Sequence, residues 1–518
     1  MGQTDTIIFI LYGILIIIIG NWLARSKGGE RSSQDYFFAN KTLPWYLVGS
    51  SVIAANISAE QFIGMSGSGY AIGLAIATYE WIAALILIVV AKYFLPVFIK
   101  NEIFTMPQFL ALRYDNRVKS LLAVFWLGLF VFVNLSSILY LGALTLKLVF
   151  GIRMIYGIAG LALFSLLYTL LNGLKAIAKT DIIQVFFLLA GGLVTTYIAV
   201  NKAGGDIGFL KGFIVIYDQI PEKFHMIIHR SDPGYTYLPG IRAILGGIWI
   251  AGIYYFGANQ YIIQKAFGAK NLQEAQNGMV FAGFLKLILP FVVVIPGIVA
   301  FALHADIAKP DEAYPWLLQH IIPSGVKGLI FAALIAAIVS SLSAIINSTS
   351  TIFTLDIYRP WINREASEKK LVAMGRISSI AAMAVAVFVA AGLGNLEQAF
   401  QFIQEYTGMV SPGITAIFVL GMYWRKTTAT AALWGTLLSI PVSALIKYFF
   451  SGIPFLDQML ISFFITALII ISISLPDINK IGQKTLYTEP GMFKTGRTFN
   501  ILSVIIMVIL ACIYLTFF

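Results

Sequence analysis

Long apolar runs separated by short charged connections dominate this chain. Ile7–Gly20 and Ile501–Phe518, with their flanks, are long enough to cross a bilayer as helices, since about 20 residues span roughly 30 Å of hydrocarbon. The pattern predicts about 14 such spans, near 6–24, 44–68, 72–99, 118–149, 152–171, 178–200, 238–257, 277–303, 324–353, 370–392, 396–422, 427–449, 454–475 and 498–517. One stretch breaks the pattern. Asn56–Tyr70, reading NISAEQFIGMSGSGY, sits between the apolar runs Tyr46–Ala55 and Ala71–Leu95. As one helix it would carry Asn56, Ser58, Glu60, Gln61, Ser66 and Ser68 at hydrocarbon depth, with Gly64, Gly67 and Gly69 weakening the backbone. Polar groups and loosened backbone survive there only when they face protein or a water-filled cavity. The stretch therefore predicts a helix broken near mid-membrane, a place to hold a polar solute or a cation.

Composition narrows the class. The 518 residues are 59% hydrophobic and 11% charged, against about 25% charged in ordinary soluble domains. With a mean hydropathy of +0.86, this is an all-α polytopic membrane protein. The net charge of +11 would suggest nucleic acid in a soluble domain. Here it reads as cationic loops facing anionic lipid. Sorting loops alternately collects Arg25, Lys27, Arg31, Arg113, Arg117, Lys175, Lys179, Lys265, Lys270 and Arg359 on one side. That side is cytoplasmic by the positive-inside rule, which leaves both termini and the loops Lys202–Pro239 and His304–Ser324 external. The first run precedes its basic residues, the reverse of a signal peptide, and reads as a retained span. The single cysteine, Cys512, excludes an intrachain disulfide. His225 and His229, spaced i, i+4, read as a solvated loop rather than a metal site.

The spans fall into blocks. An extra helix and linker (1–43) precede a five-helix block (44–200), an external loop (201–237), a second five-helix block (238–422) and three further helices (423–518). Five helices per block put the two blocks in opposite orientations. The first helix of each is interrupted, at Asn56–Tyr70 and at Gly252–Gln260 (GIYYFGANQ), and paired broken helices in inverted halves point to a midplane binding site.

Several residues carry chemistry. Glu80 and Lys286 are intramembrane ions that read as functional groups or as an ion pair, including with each other. With Gln61 and Gln404 they offer donors and acceptors suited to hydroxyls, while Tyr79, Tyr254, Tyr255, Phe256 and Phe400 offer faces for a ring. That combination favours a sugar over an inorganic ion, although an amino acid's carboxylate could also use Lys286. Ser340 and Ser341, with carbonyls opened at a helix break, supply hard oxygens suited to Na⁺. The alternative is close helix packing by small residues. Asp181, near the start of a span, either caps that helix or lends negative potential to a cation.

ANISAEQFIGMSGSGY (55–70), YEW (79–81), TDIIQVF (180–186), NQYIIQ (259–264), VSSLSAIINSTSTIFTLDIYR (339–359), QAFQFIQEYTGMVSPGI (398–414) and the lead-in DYFFANKTLPW (35–45) resemble the sodium/solute symporter family. The match runs nearly the whole length and is nearest the sodium/glucose cotransporter branch, among the bacterial sodium/galactose symporters. The resemblance implies a LeuT-type 5+5 inverted-repeat core with one helix before and three after it. It implies sodium on the carbonyls of Ala54, Ile57 and Ala337 and the hydroxyls of Ser340 and Ser341, with Asp181 as the nearby acid. The sugar's polar contacts fall on Gln61, Glu80, Lys286 and Gln404. Tyr255, held by Asn56, closes the inner side, and Met65, Tyr79 and Phe400 the outer.

The chain also departs from the family. Gly252 and Ala83 stand where sugar-binding members have Asn and Ser, and Phe256 replaces a Trp. Ser343 and Ala344 stand where a second sodium site would offer two hydroxyls, so one Na⁺ per cycle is expected. The reading is sodium-coupled import of a monosaccharide across a bacterial inner membrane, with a carrier of another polar solute such as a polyol as the alternative. An enzyme is disfavoured because no intramembrane His/Glu metal set, paired aspartates or Ser/His constellation appears. A channel is disfavoured because no rings of pore-lining charge appear.

Overall fold

A computed structural model describes residues 2–24, 41–171, 174–394, 398–476, 486, 489 and 491–518. Apart from one isolated bridge, the described residues form helices and turns only. In chain order these are α1 Gln3–Ala24, α2 Trp45–Asn56, α3 Ser66–Ile72, α4 Leu74–Lys100, α5 Asn116–Phe150, α6 Met154–Leu171 and α7 Leu174–Ala203. There follow α8 Gly247–Ile253, α9 Gln260–Phe267, α10 Leu272–Ala302, α11 Val326–Ile362, α12 Glu368–Gly392, α13 Ala399–Tyr423, α14 Ala429–Phe449, α15 Phe455–Ser474 and α16 Arg497–Thr516. Among the described residues ten helices are long and apolar enough to cross a membrane, or eleven with the bent pair Pro233–Leu245 and Gly247–Ala258, which turns through 79°.

Helices α2, α3 and α4 pack on α10, and α2 also on α7 and α11, so the interrupted stretch lies at the centre of the bundle. Close approach there needs small residues. A Cβ on Gly297 of α10 would lie 1.9 Å from the Ser66 carbonyl oxygen, and one on Gly69 would lie 2.6 Å from that of Val294. Hence the outer half of the broken helix and α10 meet backbone to backbone, as helices packed in lipid often do. At the inner end, the Leu43 amide donates to Gly268 (2.9 Å) and the Lys270 amide donates to Leu43 (3.0 Å). This bridge ties the lead-in of α2 to the turn after α9.

Several expectations need correction. The helix holding Asp181 begins at Leu174, so Asp181 lies two turns inside it and is no cap. The span expected at 324–353 runs on to Ile362 through a widened π segment, Phe353–Ile362. Arg113 and Lys265, sorted as loop cations, are buried. Arg113 donates to the carbonyls of Gly421 (2.7 Å) and Trp424 (3.2 Å) at the end of α13, a favourable place for a cation. The lead-in motif 35–45 lies mostly outside the described residues.

Candidate functional site

The first break is built by local chemistry. After Asn56, Ile57 turns extended (φ −76°, ψ 110°), and a π-helical turn over Glu60–Met65 leads into α3. The Gln61 side-chain oxygen accepts from the Ser58 amide (3.1 Å), while the Ser58 hydroxyl accepts from the Glu60 amide (3.1 Å). This is a reciprocal Ser-x-x-Gln cap, which satisfies donors that the break would orphan. The Gln61 carbonyl is thereby committed, and its amino group is left for a ligand.

The break also frees carbonyls on the inner side. The Ser341 hydroxyl is 3.1 Å from the Ala54 oxygen and 3.2 Å from the Ile57 oxygen. Ala337 lies one turn before Ser341 on α11. Ser340 donates to Asp181 Oδ1 (2.6 Å), and Ser51 and Lys265 Nζ reach Asp181 Oδ2 at 2.5 and 3.2 Å. All of these side chains are buried. The result is a compact set of uncharged oxygens beside one carboxylate, which is what a small hard cation requires. Among the described residues no group of three or more His, Cys, Asp or Glu is placed to hold a metal ion.

Beside the break lies a cavity lined by Asn56, Glu60, Gln61, Met65, Tyr79, Glu80, Tyr255, Phe256, Lys286, Phe400 and Gln404, with Ala83, Gly252, Thr407 and Ser411. It brings together the residues assigned to the solute by the sequence reading except Tyr254, which is buried in the packing between helices and does not line the cavity. Lys286 Nζ pairs with Glu80 Oε2 at 2.5 Å and also donates to the Asn56 side-chain oxygen. The Asn56 amide in turn donates to the Tyr255 hydroxyl (3.0 Å), to which the Tyr261 hydroxyl also donates (2.6 Å). Glu80 and Lys286 thus form an ion pair with each other, and the pair faces the cavity. Tyr79 meets Phe400 edge to face at 5.3 Å on the outer side, and Tyr255 meets Phe256 at 4.9 Å on the inner. The space a side chain at Gly252 would fill is taken by Ile86, whose Cδ1 would lie 2.2 Å from an added Cβ.

Sequence reasoning missed Glu60, which lines the cavity beside Gln61, and the Ser51 and Lys265 partners of Asp181. It also missed Asp311, on the turn Pro310–Glu312. Its Oδ2 accepts from the Ala399 amide at the start of α13 (2.8 Å), next to Phe400. Burial pushes its carboxyl up to about 7, the Ala399 hydrogen bond opposing. Lys223 donates to the carbonyls of Tyr70 (3.1 Å) and Ala71 (2.8 Å) that end α3. Desolvation lowers its pKa.

A helical bundle whose central helix breaks between an oxygen-lined pocket and a polar cavity defines a membrane carrier of LeuT-type architecture. The sodium:solute symporter family profile matches residues 36–439, and the chain belongs to that family. It is 50% identical to the sodium/glucose cotransporter of Vibrio parahaemolyticus over 99% of this chain and 98% of that protein. It is 31% identical to sodium/myo-inositol cotransporter 2 of Oryctolagus cuniculus, over 84% of this chain and 68% of that protein. The structure of a substrate-bound, outward-open Na⁺-coupled sialic acid symporter superposes with a TM-score of 0.80 at 22% identity, over 91% of this chain and 98% of that one. That likeness establishes the shared fold. The protein is a multi-pass membrane transporter with sodium as its coupling ion, not an enzyme.

Proposed function

We propose that the chain imports a monosaccharide of the glucose/galactose type with Na⁺ by alternating access. Half-identity to a sodium/glucose cotransporter along its full length supports the sugar. One observation carries the mechanism: Asn56 joins the two pockets. Its flanking carbonyls, Ala54 and Ile57, meet Ser341, while its own side chain meets Lys286 and Tyr255. Sodium held by the carbonyls of Ala54, Ile57 and Ala337 and the hydroxyls of Ser340 and Ser341 braces α2 against α11. That fixes Asn56, and through it the donors that meet the sugar. The coupling is reciprocal, so each ligand raises the other's affinity by one common factor.

In this reading Gln61, Glu80, Lys286 and Gln404 bind the sugar hydroxyls. Tyr255 stacks on the ring, Phe256 supports it, and Met65, Tyr79 and Phe400 close the outer side. Asp181 supports the cation. Residues 44–200 and 238–422 form the two inverted repeats, with 1–43, the external loop 201–237 and 423–518 outside the core. Counting α1, α6 and the broken pair α2–α3 with the eleven apolar helices gives fourteen spans. Both termini then face outward from a bacterial inner membrane.

The test is uptake of labelled sugars into liposomes, with and without an inward sodium gradient. Glucose or galactose should accumulate only with the gradient, and no accumulation of any hexose would sink the proposal. Apolar Gly252 and Ala83 at the cavity wall and the myo-inositol relative favour including myo-inositol. Its exclusive uptake would replace the sugar reading by the polyol one.

A further inference from the structure

Lys265 is a fully buried lysine, 1% exposed, on the inner half of the second broken helix. Among the described residues its ammonium has one charged partner, the Asp181 carboxylate at 3.2 Å. Asp181 is itself fully buried and shares its oxygens with Ser51 and with Ser340, the serine next to Ser341. The carboxylate therefore faces one tethered positive charge and, in the sodium reading of the Ser340/Ser341 pocket, a second that is carried through. A carboxylate in this environment left without a counter-charge is costly, by several kcal/mol. Loss of a cation from the Ser340/Ser341 pocket would leave Asp181 in that condition unless another positive group took its place. Lys265 is positioned to be that group.

We infer that Lys265 is a tethered competitor of sodium for the Asp181 carboxylate, neutralising it when the ion has left and weakening the ion's hold when it is bound. The inference rests on the sodium reading of the Ser340/Ser341 pocket. It differs from a purely structural role in the sign of its effect. Loss of a structural ion pair loosens the pocket and weakens sodium binding, whereas loss of a competing cation strengthens it.

The experiment measures equilibrium binding and dissociation of ²²Na⁺ on the purified full chain in nanodiscs, without sugar. Lys265→Met removes the charge and keeps an apolar stem, and Lys265→Gln keeps a hydrogen-bonding end. Either one decides the matter if the other does not fold. Removing the ammonium should tighten sodium binding by about tenfold or more, since the repulsion of a nearby like charge is lost, and slow ²²Na⁺ release. Lys265→Arg should behave as the parent. The neutral double variant Asp181→Asn/Lys265→Met should lose the gain. Unchanged or weaker binding in both folded neutral variants overturns the inference. If the parent chain itself binds no ²²Na⁺, the sodium reading fails instead, and the two failures are told apart by that control.

Discussion

The two broken helices solve one problem by opposite means. Between α2 and α3 the chain opens its own backbone. Ser58 and Gln61 cap the new end, and the released Ala54 and Ile57 carbonyls are met by Ser341. Between α8 and α9 the break comes at Asn259 (φ −90°, ψ 120°), after a π-helical turn over Tyr254–Ala258, and no side chain caps it. There the side chains act: Tyr255 and Phe256 turn to the cavity. Gln260 fastens the inner half by accepting from the Met106 amide (2.8 Å). The difference teaches what each ligand demands. In the proposed function a small cation meets several oxygens without net charge, the carbonyls that the break releases together with two serine hydroxyls. A hydroxylated ring needs directional donors and a flat face, which only side chains supply.

The sharpest way to break this comparison is to remove the charge that side-chain chemistry depends on. Lys286→Met strands the buried Glu80 carboxylate, so it should cost about 3–5 kcal/mol of stability and abolish uptake. Thermal unfolding and sugar transport check this. The double variant Lys286→Met/Glu80→Gln should recover stability without recovering transport. Next comes Ser341→Ala, which removes the hydroxyl facing the freed carbonyls. Half-activation by sodium should move up about tenfold, or roughly 1.4 kcal/mol, and unchanged activation would take the cation out of that pocket. A smaller effect is expected at Tyr255→Phe, which keeps the stacking face and loses the hydroxyl joined to Asn56 and Tyr261. Sugar affinity should fall about fivefold, near 1 kcal/mol for one hydrogen-bonded group, with sodium binding changed by less.

A pH-dependent effect is expected at the turn Pro310–Glu312. The Asp311 carboxyl stands at about 7 when folded, against 3.8 for the ordinary group. Folding thus favours its neutral form. The contribution is fully present below about pH 4 and is lost as pH rises toward 7, because over that window only the folded chain holds the proton. Melting temperature should fall by about 3–4 °C across that window, and Asp311→Asn should flatten that part of the profile.

Much of the site was legible in residue order because a membrane makes polar residues conspicuous. Asn56, Ser58, Gln61, Glu80 and Lys286 stand out among apolar neighbours, and Gly64, Gly67 and Gly69 announce a weak helix. Asp181 was legible as important but not in its role, since a helix start and a buried network leave the same mark in sequence. Lys265 and Arg113 were misplaced for a related reason. A cation near the end of a span looks like a loop charge whether it faces water or folds back. Glu60 was passed over for Gln61 because neighbours on a helix point in different directions. The π turn over Glu60–Met65 is what brings both to the cavity wall.

By itself, the sequence determined the class, the place of both interruptions and the residue types gathered there. These follow from hydration energy, which every segment meets independently of the others. The pairing of Lys286 with Glu80 and Asn56, the meeting of Ser341 with Ala54 and Ile57, and the enclosure of Lys265 against Asp181 were decided only by the tertiary structure. Each joins segments 80 or more residues apart in sequence, and the packing of α2, α7, α10 and α11 decides which buried group answers which.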